Sequence, residues 1–233
     1  MPTILITGAS RGFGRELVDV YASKQWTLFP LVRDPKVAEQ LTRQYAPRCF
    51  PIVGDVSFDN VGSAITDVLR SHNASLDLLI NNAGYIIKNR GIHGVASYDL
   101  IAHFNVHVAG VWRCTIAALP FLKNAPKPVV VDITSRFGSI ARIARRKSDF
   151  VYSYNIAKAA QNMLTACMAR DLGRDGIKVI AVHPGQLKTA AAALDADTDP
   201  RVAAEKLYEF LSHLDSSAEC LVYDLMKDGI VEW

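Results

Sequence analysis

The chain has 233 residues, half of them hydrophobic and 21% charged, with a net charge of +3. This length and composition fit one large α/β domain, so we expect a single domain over residues 1–233. The small net charge argues against nucleic acid or a membrane as partner. No apolar run approaches the roughly 20 residues that span a bilayer. The N-terminus lacks a secretory pattern, so we expect a cytoplasmic protein.

Short β-branched runs alternate with amphipathic helical patterns along the chain. The predicted strands are 4–7, 26–32, 50–53, 76–80, 129–133, 178–182 and 221–223. The predicted helices are 14–24, 36–45, 60–71, 97–121, 152–172 and 201–214, with Pro120 and Pro126 closing the fourth. The strands are almost continuously apolar, which is typical of a parallel sheet covered on both faces. We therefore predict a Rossmann-type doubly wound sheet of about seven strands in three αβα layers.

Ligands of such sheets bind beyond the carboxyl ends of the strands, so the residues after each strand matter most. The first strand is followed by Thr-Gly-Ala-Ser-Arg-Gly-Phe-Gly, where a helix begins. Glycines there let the backbone approach a pyrophosphate, which a helix N-terminus attracts. An ordinary glycine-rich turn is the alternative, but the position favours a nucleotide loop. The loop residues assigned to cofactor binding are Gly8, Ser10, Arg11, Gly12, Phe13 and Gly14.

The second strand ends in Arg33 and Asp34, which bear on the choice of dinucleotide. An acidic residue at this tip binds the ribose 2′-hydroxyl of NAD, whereas arginine accommodates the 2′-phosphate of NADP. Arg33 comes first after the strand, and Arg11 could reach the same phosphate. Both could also be solvated surface arginines, and Asp34 keeps NAD(H) open. We favour NADP(H).

Two further strand ends carry polar or small residues. Asp55 and Val56 follow the third strand, although an aspartate there is more often a helix cap or turn. Asn81-Asn82-Ala83-Gly84 follows the fourth strand. Its small residues would let a nucleotide lie against the backbone, and its amides can brace neighbouring strands.

Tyr154 and Lys158 are four residues apart on a predicted helix, one element after Ser135 at a strand end. Tyrosine has a pKa of about 10, and making it a base near pH 7–8 requires about 3–4 kcal/mol. One ammonium group about 4–5 Å away supplies an interaction of that size at an effective dielectric constant near 20. The pair can therefore act as a general acid/base. Taken alone, this spacing also fits a surface Tyr and Lys.

The glycine loop, the Asn-Asn-Ala-Gly string, Ser135 and Tyr-x-x-x-Lys occur in the order that resembles the short-chain dehydrogenase/reductase family. Within it, Tyr-Ser-Tyr-Asn-Ile-Ala-Lys and Thr-Ser-Arg-Phe-Gly-Ser-Ile look most like the C-factor and sniffer-like carbonyl reductases. The resemblance implies an NADPH-dependent oxidoreductase acting on a small carbonyl or alcohol substrate, assembled as a homodimer or homotetramer. A non-catalytic NADP(H)-binding regulator on the same fold is the alternative.

The resemblance also implies roles for individual residues. Tyr154 would be the general acid/base, Ser135 would orient the carbonyl oxygen, and Lys158 would hold the nicotinamide ribose. Asn105 would anchor a water in the proton relay. The further cofactor contacts implied are Asp55, Val56, Asn82, Ala83, Gly84, Pro184, Gly185, Leu187 and Thr189.

Three further features concern the substrate pocket, a basic segment and a pair of histidines. Residues 85–94, 139–152 and 186–200 should form the pocket walls, and we expect an open cleft for small apolar carbonyls. The basic residues Arg142, Arg145, Arg146 and Lys147 fit a solvated loop, or a rim that selects anionic substrates. His103 and His107 have a metal-chelating spacing but lack a third ligand candidate nearby, so we interpret them as structural and expect no metal.

Overall fold

The computed structural model describes residues 1–87, 91–145, 151–189, 196–215 and 219–233. Within these residues, eight strands form one sheet in the order β3-β2-β1-β4-β5-β6-β7-β8. The strands are β1 (Thr3–Thr7), β2 (Thr27–Val32), β3 (Ile52–Val53), β4 (Leu78–Asn81), β5 (Val129–Ile133), β6 (Lys178–His183), β7 (Val222–Asp224) and β8 (Gly229–Val231). The first seven are parallel, and β8 runs antiparallel to β7.

Helices cover both faces of the sheet. They are α1 (Gly12–Ser23), α2 (Pro35–Tyr45), α3 (Val61–Ser71), α4 (Ser97–Phe104), α5 (Gly110–Leu122), α6 (Ile140–Arg145), α7 (Tyr152–Leu172) and α8 (Pro200–Ser212). Buried side chains of α1, α2 and α8 pack on one face, and those of α3, α5 and α7 pack on the other. Alternate residues of β1 serve the two cores, since Ile4 and Ile6 belong to one and Leu5 to the other. The predicted doubly wound αβα architecture is confirmed.

The strand order reverses between β1 and β4, so the connections leave these neighbours in opposite directions. Such a switch point opens a crevice at the carboxyl edge of the sheet. The glycine loop after β1 and the Asn-Asn-Ala-Gly string after β4 therefore lie side by side there.

Three local expectations differ from the structure. The predicted helix over 97–121 is divided into α4, a π-helical turn (Asn105–Ala109) and α5. Pro120 does not close that helix, because α5 continues to Leu122; the missing N–H falls in the last turn, where little helix remains. The elements α6 and β8 were not predicted, since each is too short for its periodicity to be visible. Among the described helices, none combines the length and apolarity that a membrane crossing requires.

Candidate active site

The glycine loop after β1 packs directly against the backbone of the segment after β4. Gly8 and Gly12 have φ angles of +67° and +56°, the left-handed region that favours glycine. A Cβ on Gly8 would lie 2.8 Å from Cα of Ala83, and a Cβ on Gly14 would overlap the carbonyl oxygen of Gly8. Arg11, the N-cap residue of α1, makes no side-chain cap hydrogen bond. The first N–H groups of this helix can therefore receive an anion.

Asn82 braces this loop. Its side-chain amide donates to the carbonyl oxygens of Thr7 and Gly8 at 3.0 and 3.2 Å. In return, the Thr7 hydroxyl accepts from the backbone N–H groups of Asn82 and Ala83, both at 3.0 Å. The predicted bracing by the amide is thus present. Phe13, assigned to the cofactor, has its side chain buried in the core, which leaves only its backbone for a nucleotide.

The two charged residues that follow β2, Arg33 and Asp34, have different partners. Asp34 caps α2, since its carboxylate accepts from the N–H of Lys36 at 2.9 Å. Arg33 is exposed, and its Nη1 lies 3.7 Å from a carboxylate oxygen of Asp55. Burial alone would raise the pKa of Asp55, but hydrogen bonds from Ser57 and the Arg33 guanidinium lower it below its ordinary value. Val56, beside it, is buried against α5.

Ser135, Tyr154 and Lys158 meet at the carboxyl end of β5. Ser135 directly follows that strand and caps a short 3-10 turn through Phe137 N–H. Its hydroxyl faces the Tyr154 phenol and acts to lower the pKa of that group. Lys158 is buried, and its Nζ donates to the carbonyl of Ile133 at 2.8 Å and to the side chain of Gln161 at 2.7 Å. The Nζ atom lies 5.7 Å from the centre of the Tyr154 ring.

Burial changes the pKa values expected for Tyr154 and Lys158. Burial raises the pKa of Tyr154 to about 12, and the Ser135 hydroxyl only partly opposes this. Burial also lowers the pKa of Lys158 to about 7, against the opposing charge of Asp132. Desolvation therefore opposes the lowering of the Tyr154 pKa that was expected from the Lys158 charge. The sequence-based value included that charge alone and left out desolvation.

A buried polar network lies below Lys158. Asp132 is fully buried in β5 and accepts from Asn81 at 2.8 Å and from Thr165 at 2.7 Å. Burial raises the pKa of this carboxyl to about 6, although both hydrogen bonds and Lys158 lower it. Asp132 is not among the residues predicted from the sequence, where its signal is one aspartate in an otherwise apolar strand.

Asn105 is not brought to the other three catalytic candidates. Its side-chain amide donates to the carbonyl of Ser57 at 3.0 Å, and its oxygen accepts from Arg113 at 2.9 Å. The residue of the same π-helical turn that reaches Tyr154 is His107, whose ring centre lies 5.5 Å from that of the phenol in an edge-to-face arrangement. The role expected of Asn105 stays a prediction, and His107, two positions further on, presents a different face of the helix.

The loop after β6 closes one side of the crevice. Gly185 has a φ angle of +100°, and a Cβ there would lie 2.6 Å from Met226 and 2.7 Å from Thr198. A bridge pairs Leu187 with Thr198. Thr189 approaches the glycine loop, since a Cβ on Gly12 would be 3.4 Å from its methyl group. The last residue of the predicted nicotinamide loop thus lies beside the predicted phosphate loop.

The predicted pocket walls are only partly described. Residues 88–90, 146–150 and 190–195, which include Arg146 and Lys147, lie outside the described residues. The described part of the basic segment is helix α6 rather than a loop. With Arg136 and Glu232, its residues Arg142, Ile143 and Arg145 line a cleft of about 420 Å³. An ion pair of 2.9 Å joins Arg145 to Glu232 across this cleft.

A glycine loop at a helix N-terminus, with Ser135 at the end of β5 and Tyr154 and Lys158 on α7 beside it, is typical of a nucleotide-dependent oxidoreductase. The family model for short chain dehydrogenase matches residues 2–199, so the chain belongs to that family.

Three known proteins illustrate the relationship. C-signal of Myxococcus xanthus is 34% identical over 121 residues, which cover 52% of this chain and 71% of that protein. The NADPH-bound carbonyl reductase from chicken fatty liver is 26% identical, with a TM-score of 0.91 over 100% of this chain and 99% of that one. Carbonyl reductase Sniffer of D. melanogaster shares the fold, with 24% identity and a TM-score of 0.88 over the whole of both chains. The resemblance noted from the sequence is confirmed.

Proposed function

We propose that the protein is an NADPH-dependent reductase of small carbonyl compounds, or the corresponding alcohol dehydrogenase, with Tyr154 as general acid/base. The observation that carries this proposal is the meeting of Ser135 and Tyr154 at the carboxyl end of β5, with the Nζ of buried Lys158 5.7 Å from the Tyr154 ring centre. The pair lies at the edge of the sheet that also holds the glycine loop.

The dinucleotide fits the residues present. Gly8 and Gly14 have no side chain that would keep a pyrophosphate away from the loop backbone, and neither position has room for one. The N-terminus of α1 is not capped by a side chain, so its N–H groups can bind the phosphates. Asp34 is engaged in capping α2, whereas Arg11 and Arg33 are exposed, and Arg33 can exchange its 3.7 Å ion pair with Asp55 for a 2′-phosphate. The chicken carbonyl reductase, which is NADPH-bound, supports the same choice. NADPH, when bound, supplies the hydride for the carbonyl carbon.

The residues of this chain would supply the proton. At neutral pH a phenol with a pKa of about 12 is protonated, so Tyr154 is suited to donate to the carbonyl oxygen during reduction. The Ser135 hydroxyl would donate a hydrogen bond to the same oxygen and fix its position. Lys158, with a pKa of about 7, can return a proton to the phenolate and hold the nicotinamide ribose. Reduction is therefore the direction we expect to be fast at neutral pH.

The test is turnover of NADPH and of NADH with a panel of ketones, aldehydes and quinones, together with the Kd of each dinucleotide. We expect turnover with NADPH and weaker binding of NADH. Arg33→Ser should weaken NADPH binding about tenfold and leave NADH binding unchanged, because only the 2′-phosphate is lost as a partner. Arg43→Ser, an exposed arginine of α2 paired with Glu39, is the matched control. Equal effects on both dinucleotides would contradict the cofactor assignment.

The alternative is an NADP(H)-binding regulator without relevant turnover, and the C-signal relationship favours considering it. Tight NADPH binding with no reduction of any carbonyl in the panel would support this second function. Robust turnover would exclude it. The single domain, the cytoplasmic location and the homodimer or homotetramer stay predictions.

A further inference from the structure

His107 is a buried residue of the π-helical turn between α4 and α5, only 1% exposed. Its Nε2 lies 2.8 Å from the carbonyl oxygen of Tyr85. A Cβ on Gly84 would lie 2.6 Å from its Cε1 atom, so the imidazole fills the space of the missing side chain. Its ring meets Tyr154 edge-to-face. Because π-helical turns are frequent at functional sites, this placement requires an explanation.

The contacts of His107 fix its tautomer. Nε2 must carry the hydrogen that it donates to the Tyr85 carbonyl, because the alternative contact with the Tyr85 N–H is longer, at 3.4 Å. Nδ1 then carries the lone pair. This atom is buried and has no hydrogen-bond partner among the described residues. His103, one turn earlier, differs because Asp99 and Ile87 engage both of its nitrogens.

Lys158 has an N–H donor to spare, where His107 has an acceptor to spare. An ammonium group carries three N–H donors, and two of them serve Ile133 and Gln161. Within the described part of the chain, no third hydrogen bond of this Nζ is found. Lys158 Nζ and the His107 ring centre lie 5.7 and 5.5 Å from the centre of the Tyr154 ring. Lys158 and His107 therefore both lie close to the Tyr154 ring, one with a donor and the other with an acceptor to spare.

We propose that one hydroxyl group, from a water or from the nicotinamide ribose, bridges Lys158 Nζ and His107 Nδ1, making His107 a positioning residue for Lys158 beside Tyr154. A hydroxyl accepts from the ammonium and donates to the imidazole, so it pairs with both groups at once. This inference rests on the proposed function. It assigns to His107 the place that the sequence had suggested for Asn105.

The imidazole must stay neutral for this role. The ionisable groups that face it are Lys158 and Tyr154 from α7, Tyr85 from the loop after β4 and His103 from α4. Burial, then the Lys158 charge, lower the pKa of His107 well below its ordinary value. Nδ1 therefore remains an acceptor throughout the neutral range.

Nitrogen NMR of the imidazole tests the inference without turnover. We expect a neutral ring with hydrogen on Nε2, and an Nδ1 resonance shifted by hydrogen bonding. A shift that appears only with NADPH identifies the ribose hydroxyl, and one already present in the free protein identifies water. Hydrogen on Nδ1, or an Nδ1 resonance that remains that of a bare lone pair with and without NADPH, would overturn the inference. The NMR result does not depend on the reduction of any carbonyl substrate. The proposed function can therefore fail while the role of His107 is still tested.

A pair of substitutions separates the two nitrogens. The amide of His107→Asn reaches the place of Nδ1, whereas that of His107→Gln reaches the place of Nε2. We expect kcat of the Asn variant within about threefold of the native value and that of the Gln variant lower by about 10- to 100-fold, the size of one hydrogen bond to a charged group. A tenfold rise in the Kd of NADPH in the Gln variant would accompany a ribose bridge.

His103→Gln is the matched control, because it removes an equally buried histidine of α4. It should lower the melting temperature while changing kcat by less than about threefold. Equal kcat in the Asn and Gln variants of His107, or an equal loss in His103→Gln, would show a purely structural role and overturn the inference.

Discussion

Desolvation decides the ionisation of the groups at the end of β5. Lys158 and Asp132 carry opposite charges, yet burial moves the pKa of the lysine down to about 7 and that of the aspartate up to about 6. Their attraction does not fully offset the loss of water. The site therefore holds two groups that change protonation close to neutral pH, which suits a site that must replace a proton after each turnover.

Lys158 gives stability a defined pH dependence. Its pKa is about 7 in the folded chain against an ordinary 10.5, so between these values the unfolded chain binds more protons. The free energy of unfolding should therefore rise by about 2 kcal/mol between pH 8 and pH 10 relative to Lys158→Met. Urea denaturation of both proteins measures the difference. A constant difference across this range would show that Lys158 keeps an ordinary pKa.

For single residues, the sequence predicts which residues belong to the site better than it predicts their surroundings. Ser135, Tyr154 and Lys158 could be assigned from strand ends and helical spacing, and the structure brings them together. The contact between His107 and Tyr154 could not be predicted, because the π-helical turn alters which residues share a face. The pKa directions also depend on burial, which a linear pattern does not give.

The junction of two elements shapes the nucleotide end of the site. The glycine loop after β1 and the backbone after β4 touch, and Asn82 ties them together. Glycine is required at position 8 by both its positive φ angle and the nearness of Ala83. These constraints act on backbone, so neighbouring side chains cannot relieve them.

Gly8→Ala should separate the two segments. We expect the free energy of unfolding to fall by about 1–3 kcal/mol and NADPH binding to weaken about tenfold or more. Gly173→Ala is the control, since that glycine follows α7 with a φ angle of −59° and open space around it. It should raise stability by up to about 1 kcal/mol. Unchanged NADPH affinity in Gly8→Ala would contradict the placement of the nucleotide.

Elements with long periodic patterns were predictable, and short ones were not. The parallel strands and the helix Tyr152–Leu172 follow from apolar runs and helical spacing. The strand Gly229–Val231 buries only one end, and α6 buries no side chain, so neither has a periodic signal. Such elements are held by tertiary contacts, among them the hydrogen bond from Ala141 N–H to the carbonyl of Trp233.

At the scale of the whole molecule, one sheet order brings distant segments to a common edge. The residues after β1, β4, β5 and β6 meet there because these strands are adjacent and parallel. The alternating β and α order in the sequence is enough to predict this arrangement. The substrate loops around it do not follow from the same rule, since no repeating pattern fixes their shape.

Cofactor binding should stabilise the entire fold by mass action. At a hundredfold excess over its Kd, NADPH should raise the free energy of unfolding by about 2.7 kcal/mol. NADH at the same concentration should have a smaller effect, because it lacks the phosphate that Arg33 and Arg11 would bind. Thermal unfolding with each dinucleotide measures this. Equal shifts with NADPH and NADH would contradict the preference for NADP(H).

The most direct test of the account is Tyr154→Phe, with hydride turnover and NADPH affinity measured on the same preparation. The variant keeps the aromatic ring but loses the phenolic hydroxyl, which is the proposed proton donor and faces Ser135. We predict that carbonyl reduction falls by about 10²- to 10⁴-fold while the Kd of NADPH changes by less than about threefold. Turnover equal to that of the native protein, with NADPH bound normally, would contradict the assignment of Tyr154 as the general acid/base.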